Sequence, residues 1–169
     1  MKLLFTLFFA LVASCAYAQT DDNPYALQPK MLALGKSIKT AERFNQELAK
    51  TLEGYTLAFV DDESRPTIRY VYKTVRNETL RMDFKYAMEK TDTAANSPRK
   101  PIIVYQKISA DLRTITYIYN FIFDVNMTSD RVMASATSGT PVEYNGNTYQ
   151  FIFQPDDYNP GYWEMTFVK

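Results

Sequence analysis

The stretch Arg113–Val125 (Arg-Thr-Ile-Thr-Tyr-Ile-Tyr-Asn-Phe-Ile-Phe-Asp-Val) constrains the fold more than any other, because no other run is as long or as rich in β-branched and aromatic residues. Its odd positions, Ile115, Tyr117, Tyr119, Phe121, Phe123 and Val125, form a continuous apolar face under a period of two, and Thr114, Thr116, Asn120 and Asp124 alternate with them. That pattern predicts a central strand with one buried face. Ile118 and Ile122 on the opposite face predict that this side is covered in part as well.

The rest of the chain supplies the layers around such a strand. Met31, Leu34, Ile38, Ala41, Phe44, Leu48 and Leu52 recur at steps of three and four with charges between them. This spacing predicts one long amphipathic helix of about six turns, opened by Pro29 and ended before Gly54. After Gly54 the pattern is strands and turns: Tyr55–Val60, Thr67–Thr74, Thr79–Met88, Ile102–Ser109, Val142–Tyr144, Thr148–Gln154 and Tyr162–Val168. The alternation is cleanest in Thr79–Met88, with Leu80, Met82, Phe84, Tyr86 and Met88 inward and Arg81, Asp83 and Lys85 outward. Asn145-Gly146 is a hairpin signal. The polar gap Glu89–Lys100 predicts a mobile loop, and Arg131–Thr137 reads equally as a strand or a covering segment. Short links favour antiparallel neighbours. The expected class is α+β: one long N-terminal amphipathic helix packed on a curved, mainly antiparallel sheet of 7–8 strands. The alternative is a closed small β-barrel with an external helix.

The N-terminus reads as an export signal over residues 1–18, with Lys2 as its positive start, Leu3–Val12 as its apolar core and Ala16-Tyr17-Ala18 as its cleavage site. Residues 19–28 read as a flexible lead-in, and 29–169 as a single globular α+β domain. The expected location is exported, periplasmic or extracellular. A lipoprotein tethered through Cys15 is the alternative, because Val12-Ala13-Ser14-Cys15 resembles the box at which bacterial lipoprotein precursors are cut. The apolar run is too short for a membrane span, so no transmembrane segment is expected after signal removal.

Absences narrow the chemistry. There is no histidine, and Cys15 within the signal is the one cysteine. Cys and His nucleophiles, histidine acid–base catalysis, structural zinc and haem held by His or Cys are therefore excluded, as is a disulfide in the mature domain. With Lys plus Arg equal to Asp plus Glu, at 19 each, no long-range attraction to nucleic acid is expected. Asp124–Asp130 places oxygen ligands at alternate positions, but the glycine and glutamate a calcium loop needs are Ser129 and Ser135. Neither a metal nor a cofactor is expected.

The segment Pro155–Trp163 concentrates carboxylates, aromatics, prolines and a glycine. Asp156, Asp157, Tyr158, Tyr162 and Trp163 are the candidate partner- or ligand-binding residues, because Tyr and Trp give large contact area and a polar tip with few rotamers to freeze. The functional expectation is an exported non-catalytic binding protein of the bacterial envelope, acting through a protein partner as an inhibitor, immunity factor or accessory subunit. The first alternative is a carrier of a small apolar ligand in a barrel or half-barrel, with Met82, Phe84, Met88, Phe121 and Phe123 converging inside. The second is a carboxylate-dependent hydrolase.

Overall fold

A computed structural model of the chain describes residues 28–63, 65–90, 98–135 and 139–169. The residues expected as an export signal, Cys15, nearly all of the expected lead-in and the centre of the polar gap after Lys90 lie outside the described residues. In chain order the elements are α1 (Ile38–Thr51), β1 (Thr56–Asp61), β2 (Thr67–Lys73), β3 (Thr79–Lys90), β4 (Arg99–Asp111), α2 (Leu112–Phe123), α3 (Ser129–Ser135), β5 (Thr140–Tyr144), β6 (Asn147–Pro155) and β7 (Tyr162–Val168). The strands form one antiparallel sheet in the order β1-β2-β3-β4-β7-β6-β5. Two meanders, β1–β4 and β5–β7, meet at the β4–β7 ladder, and α2 and α3 carry the chain from one to the other. The α+β class holds. The sheet is open, with β1 and β5 as its two edges, so the barrel alternative is overturned.

The largest correction concerns the stretch expected as the central strand. Leu112–Phe123 is a helix, and β4 takes the central place. Asp111 caps the helix by accepting from the Thr114 N–H at 3.0 Å, and Asp124 ends it in the left-handed conformation at φ +53°. Its buried side is Ile115, Thr116, Ile118, Tyr119, Ile122 and Phe123, a spacing of three and four hidden inside the period of two. A strand would have split Ile118 and Ile122 from Tyr119 and Phe123. The helix buries all four and leaves Tyr117 at the surface. Helix propensity costs at most about 0.7 kcal/mol for each such residue, whereas burying one large apolar side chain contributes about 1.5–3 kcal/mol, so packing decides. Both neighbouring positions on β4 are also taken, by β3 and β7.

The N-terminal helix is shorter than the spacing predicted, with 14 residues starting at Ile38 rather than Pro29. Residues before it run along the end of β4 instead. The Gly35 N–H donates to the Ile103 carbonyl at 2.8 Å, the Ile103 N–H donates to that of Lys36 at 2.8 Å, and Ser37 bridges Ile102. Gly35 sits at φ +69°, and a Cβ there would stand 3.1 Å from the Tyr149 hydroxyl. These bonds end the helical register and bury Leu32, Ala33 and Leu34. The undecided segment is helical over Ser129–Ser135. The expected polar loop is also shorter, since Glu89 and Lys90 pair with Lys100 and Arg99 across the β3–β4 ladder.

One apolar core joins the helices to one face of the sheet. Phe44 of α1 and Tyr70 of β2 meet Phe84 edge-on at 6.3 and 6.0 Å, and Tyr119, Phe123, Phe151 and Phe167 form a second aromatic group. Met82, Phe84 and Phe123 are inside as expected, Phe121 is half-buried, and Met88 lies at the surface beyond the bulge in the β3–β4 register. Among the described residues no helix is long and apolar enough to cross a membrane.

Candidate binding site on the helix-free face

Cross-strand register builds the opposite face of the sheet out of charge. Arg69, Asp83, Lys107 and Thr166 stand in one row across β2, β3, β4 and β7, and Val71, Arg81, Ser109 and Glu164 stand in the next. Arg69 holds Asp83 through Nε at 2.8 Å and Nη2 at 3.3 Å, and Lys107 holds Glu164. Both carboxylates are buried, at 7% and 6% exposure, by the long side chains around them. Arg81 lies between the two acids, 3.5 Å from Asp83 and 3.8 Å from Glu164, and its Nε makes no hydrogen bond.

The β6–β7 loop closes over one end of this lattice. Asp156 organises it, accepting from the Tyr158 N–H at 2.9 Å, the Asn159 N–H at 3.2 Å, Asn159 Nδ2 at 2.9 Å and Ser109 Oγ at 2.8 Å. Burial alone would raise its pKa. The hydrogen bonds from Asn159, Tyr158 and Ser109, aided by the charge of Arg81, outweigh that and hold it down at about 2. Main-chain bonds tighten the turn further: the Asp156 N–H donates to the Tyr162 carbonyl, the Tyr162 N–H donates to that of Asn159, and Gly161 takes φ +85°. Tyr158 is thereby presented with 87% of its surface exposed. The Thr79 N–H donates to the Tyr162 hydroxyl at 3.1 Å, which ties the β2–β3 turn, with its fully exposed Val75, to the same end of the sheet.

Between loop and lattice lies a polar pocket of about 190 Å³ lined by Thr79, Arg81, Ser109, Asn159 and Tyr162. Its hydrogen-bonding capacity is only partly used. Ser109 Oγ donates to Asp156 and keeps lone pairs, Asn159 donates through Nδ2 and keeps its carbonyl oxygen, and the Tyr162 hydroxyl accepts from Thr79 and keeps its proton. Arg81 adds donors. The pocket therefore offers donors and acceptors side by side, suited to a hydroxyl or carboxamide that does both. Asp156, with four donors upon it and a low pKa, is a poor proton acceptor.

The structure divides the five residues singled out from sequence. Asp156 is buried beneath the loop, Asp157 and Tyr158 are exposed on it, and Tyr162 lines the pocket. Trp163, one residue on, points to the helix side, where it lies half-buried opposite Ala110 and stacks on Phe153 at 5.1 Å. Arg81, Ser109 and Asn159 were missed. The outward positions of β3 were the one signal for Arg81, and only the strand order brings it to Ser109 and Asn159. The partial calcium motif is differently employed, since Asp124 caps α2 and pairs with Lys30. Among the described residues no three Asp or Glu side chains cluster as metal ligands would.

A second concavity, an open groove of about 320 Å³, runs between α1 and the β5–β6 hairpin. Met31, Leu32, Phe44 and Tyr144 make its apolar part, and Lys36, Arg43 and Glu47 add charge. Comparison with protein-family models, curated proteins and solved structures returned no match.

Proposed function

We propose that this chain is an exported, non-catalytic binding protein of the bacterial envelope that engages a protein partner through the β6–β7 end of its sheet. The observation that carries the reading is the preorganised loop: a buried carboxylate with four donors fixes the backbone and leaves Tyr158 free in solvent. An exposed tyrosine on a backbone that is already fixed costs little loop entropy on association, which is one way interface anchors gain affinity. The paired state of Asp83 and Glu164 supports binding over hydrolysis, because each carboxylate has a cation beside it.

The test is capture from the envelope fraction of the producing organism, with wild-type, Tyr158→Ala and Arg81→Gln chains as bait. A partner retained by the wild type and lost by Tyr158→Ala, at unchanged melting temperature, is the expected result. Equal retention by all three baits overturns the reading. The carrier alternative keeps one support, the 320 Å³ groove beside α1. It predicts that a fatty acid raises the melting temperature of the wild type and leaves that of Met31→Asp, a change at a partly buried position of the groove wall, unchanged.

A further inference from the structure

The walls of the polar pocket beneath the β6–β7 loop discriminate among side chains. They include one cation, Arg81, and among the described residues no carboxylate. The Arg81 guanidinium already faces Asp83 at 3.5 Å and Glu164 at 3.8 Å, and its charge is felt at Asp156. An anionic ligand would compete with three carboxylates for that cation. A cationic one would meet Arg81 with no acid in the wall to receive it. An uncharged polar group is what remains.

Hydrogen-bonding capacity narrows the choice. Both distances from Arg81 exceed those of a charged hydrogen bond, and its buried Nε bonds to nothing, so the guanidinium has donors to give. The Tyr162 proton is a second donor, because the hydroxyl oxygen accepts from Thr79. Against these stand two acceptors, the Ser109 lone pairs and the Asn159 carbonyl oxygen, whose orientation is fixed by the bond from Nδ2 to Asp156. A carboxamide answers all four groups at once, with a carbonyl oxygen for the donors and an NH2 for the acceptors. A hydroxyl has a single proton and leaves one acceptor unmet. Size points the same way, since 190 Å³ is the space of about six waters. A glutamine side chain has fewer non-hydrogen atoms than that and fits whole, whereas a hexose has about twice as many. Asn159 in the wall directly follows the exposed Tyr158, so a surface that meets the tyrosine lies beside the pocket. We infer that the pocket receives the carboxamide of a glutamine or asparagine side chain presented by the protein partner, an inference that rests on the partner reading above.

The experiment titrates the full chain with the N-acetyl methylamides of glutamine, glutamate, lysine and norleucine, and with methyl glucoside, and follows NMR shifts. The glutamine derivative should shift the Ser109 and Asn159 amides and the Arg81 Nε signal to saturation and bind at least about tenfold more tightly than the other four. Arg81→Gln and Tyr162→Phe should each abolish that preference while the rest of the amide spectrum is unchanged. Comparable binding of glutamate or lysine, binding of the glucoside in place of glutamine, shifts that do not saturate, or a preference that survives both variants overturns the inference. The two readings fail separately. A partner retained by wild-type and Arg81→Gln baits but lost by Tyr158→Ala keeps the interface and removes the carboxamide from it, whereas glutamine binding with no partner captured upholds the pocket's preference and sinks the partner reading.

Discussion

The two faces of the sheet achieve burial by opposite means. On the helix side, Leu80, Met82, Phe84, Ile108, Met165 and Phe167 are removed from water by α1 and α2, and the contact is mainly apolar, with Gln106 of β4 and Asn45 of α1 as buried polar side chains within it. On the other side none of the described helices covers the strands, yet Asp83 and Glu164 are buried almost as deeply, each against a cation on a neighbouring strand. The first arrangement is stable because apolar area leaves water, without regard to exact partners. The second depends on every partner remaining in place: a buried ion pair adds little net stability, but losing one member strands the other. On such a face the donors and acceptors are fixed in place by one another.

The largest effect should come from the helix side. Phe84→Ala removes a ring in edge contact with both Phe44 and Tyr70 and should cost about 3–5 kcal/mol by denaturant titration. A smaller loss would mean that α1 packs loosely on the sheet. On the charged side, Glu164→Ala leaves Lys107 without its carboxylate and should cost about 3 kcal/mol, whereas replacing Glu164 and Lys107 together by leucine should cost far less. If the double replacement is as costly as the single one, the lattice stabilises in its own right and the contrast between the faces weakens. Smallest is the effect of acid on the loop. Asp156 titrates at about 2 when folded, below the ordinary carboxylate value of 3.8, so the unfolded chain takes up its proton first as pH falls. Its stabilisation, up to about 2 kcal/mol, is complete above pH 4 and disappears as pH falls through 2. The stability gap between wild type and Asp156→Asn should therefore close over that range. A gap independent of pH would show that the carboxylate charge plays no part in holding the turn.

The same contrast explains what could be seen in advance. Elements with one apolar face and one polar face were legible: Ile68, Tyr70 and Tyr72 on β2 and Leu80, Met82 and Phe84 on β3 are buried as their alternation predicts. Asn145 and Gly146 both take positive φ at the hairpin. The stretch that misled, Leu112–Phe123, is apolar under both periods, so alternation and helical spacing each fitted it. Asp111, a residue type that favours the N-cap, directly before the apolar run, was the local signal against a strand. At the site, Asp156 and Tyr162 were marked by the composition of their loop. Arg81, Ser109 and Glu164 are separated by tens of residues, and no local pattern joins them.

By itself, then, the sequence determined which side chains seek the interior, where the tight turns fall and which reactive groups are missing, because these follow from residue chemistry and short-range periodicity. Tertiary structure alone decided that the most β-prone run becomes a helix, since burial of Ile118 and Ile122 with Tyr119 and Phe123 outweighs backbone preference. It also decided which charges meet, because strand order and register set neighbours across the sheet, and neither is encoded in any single strand.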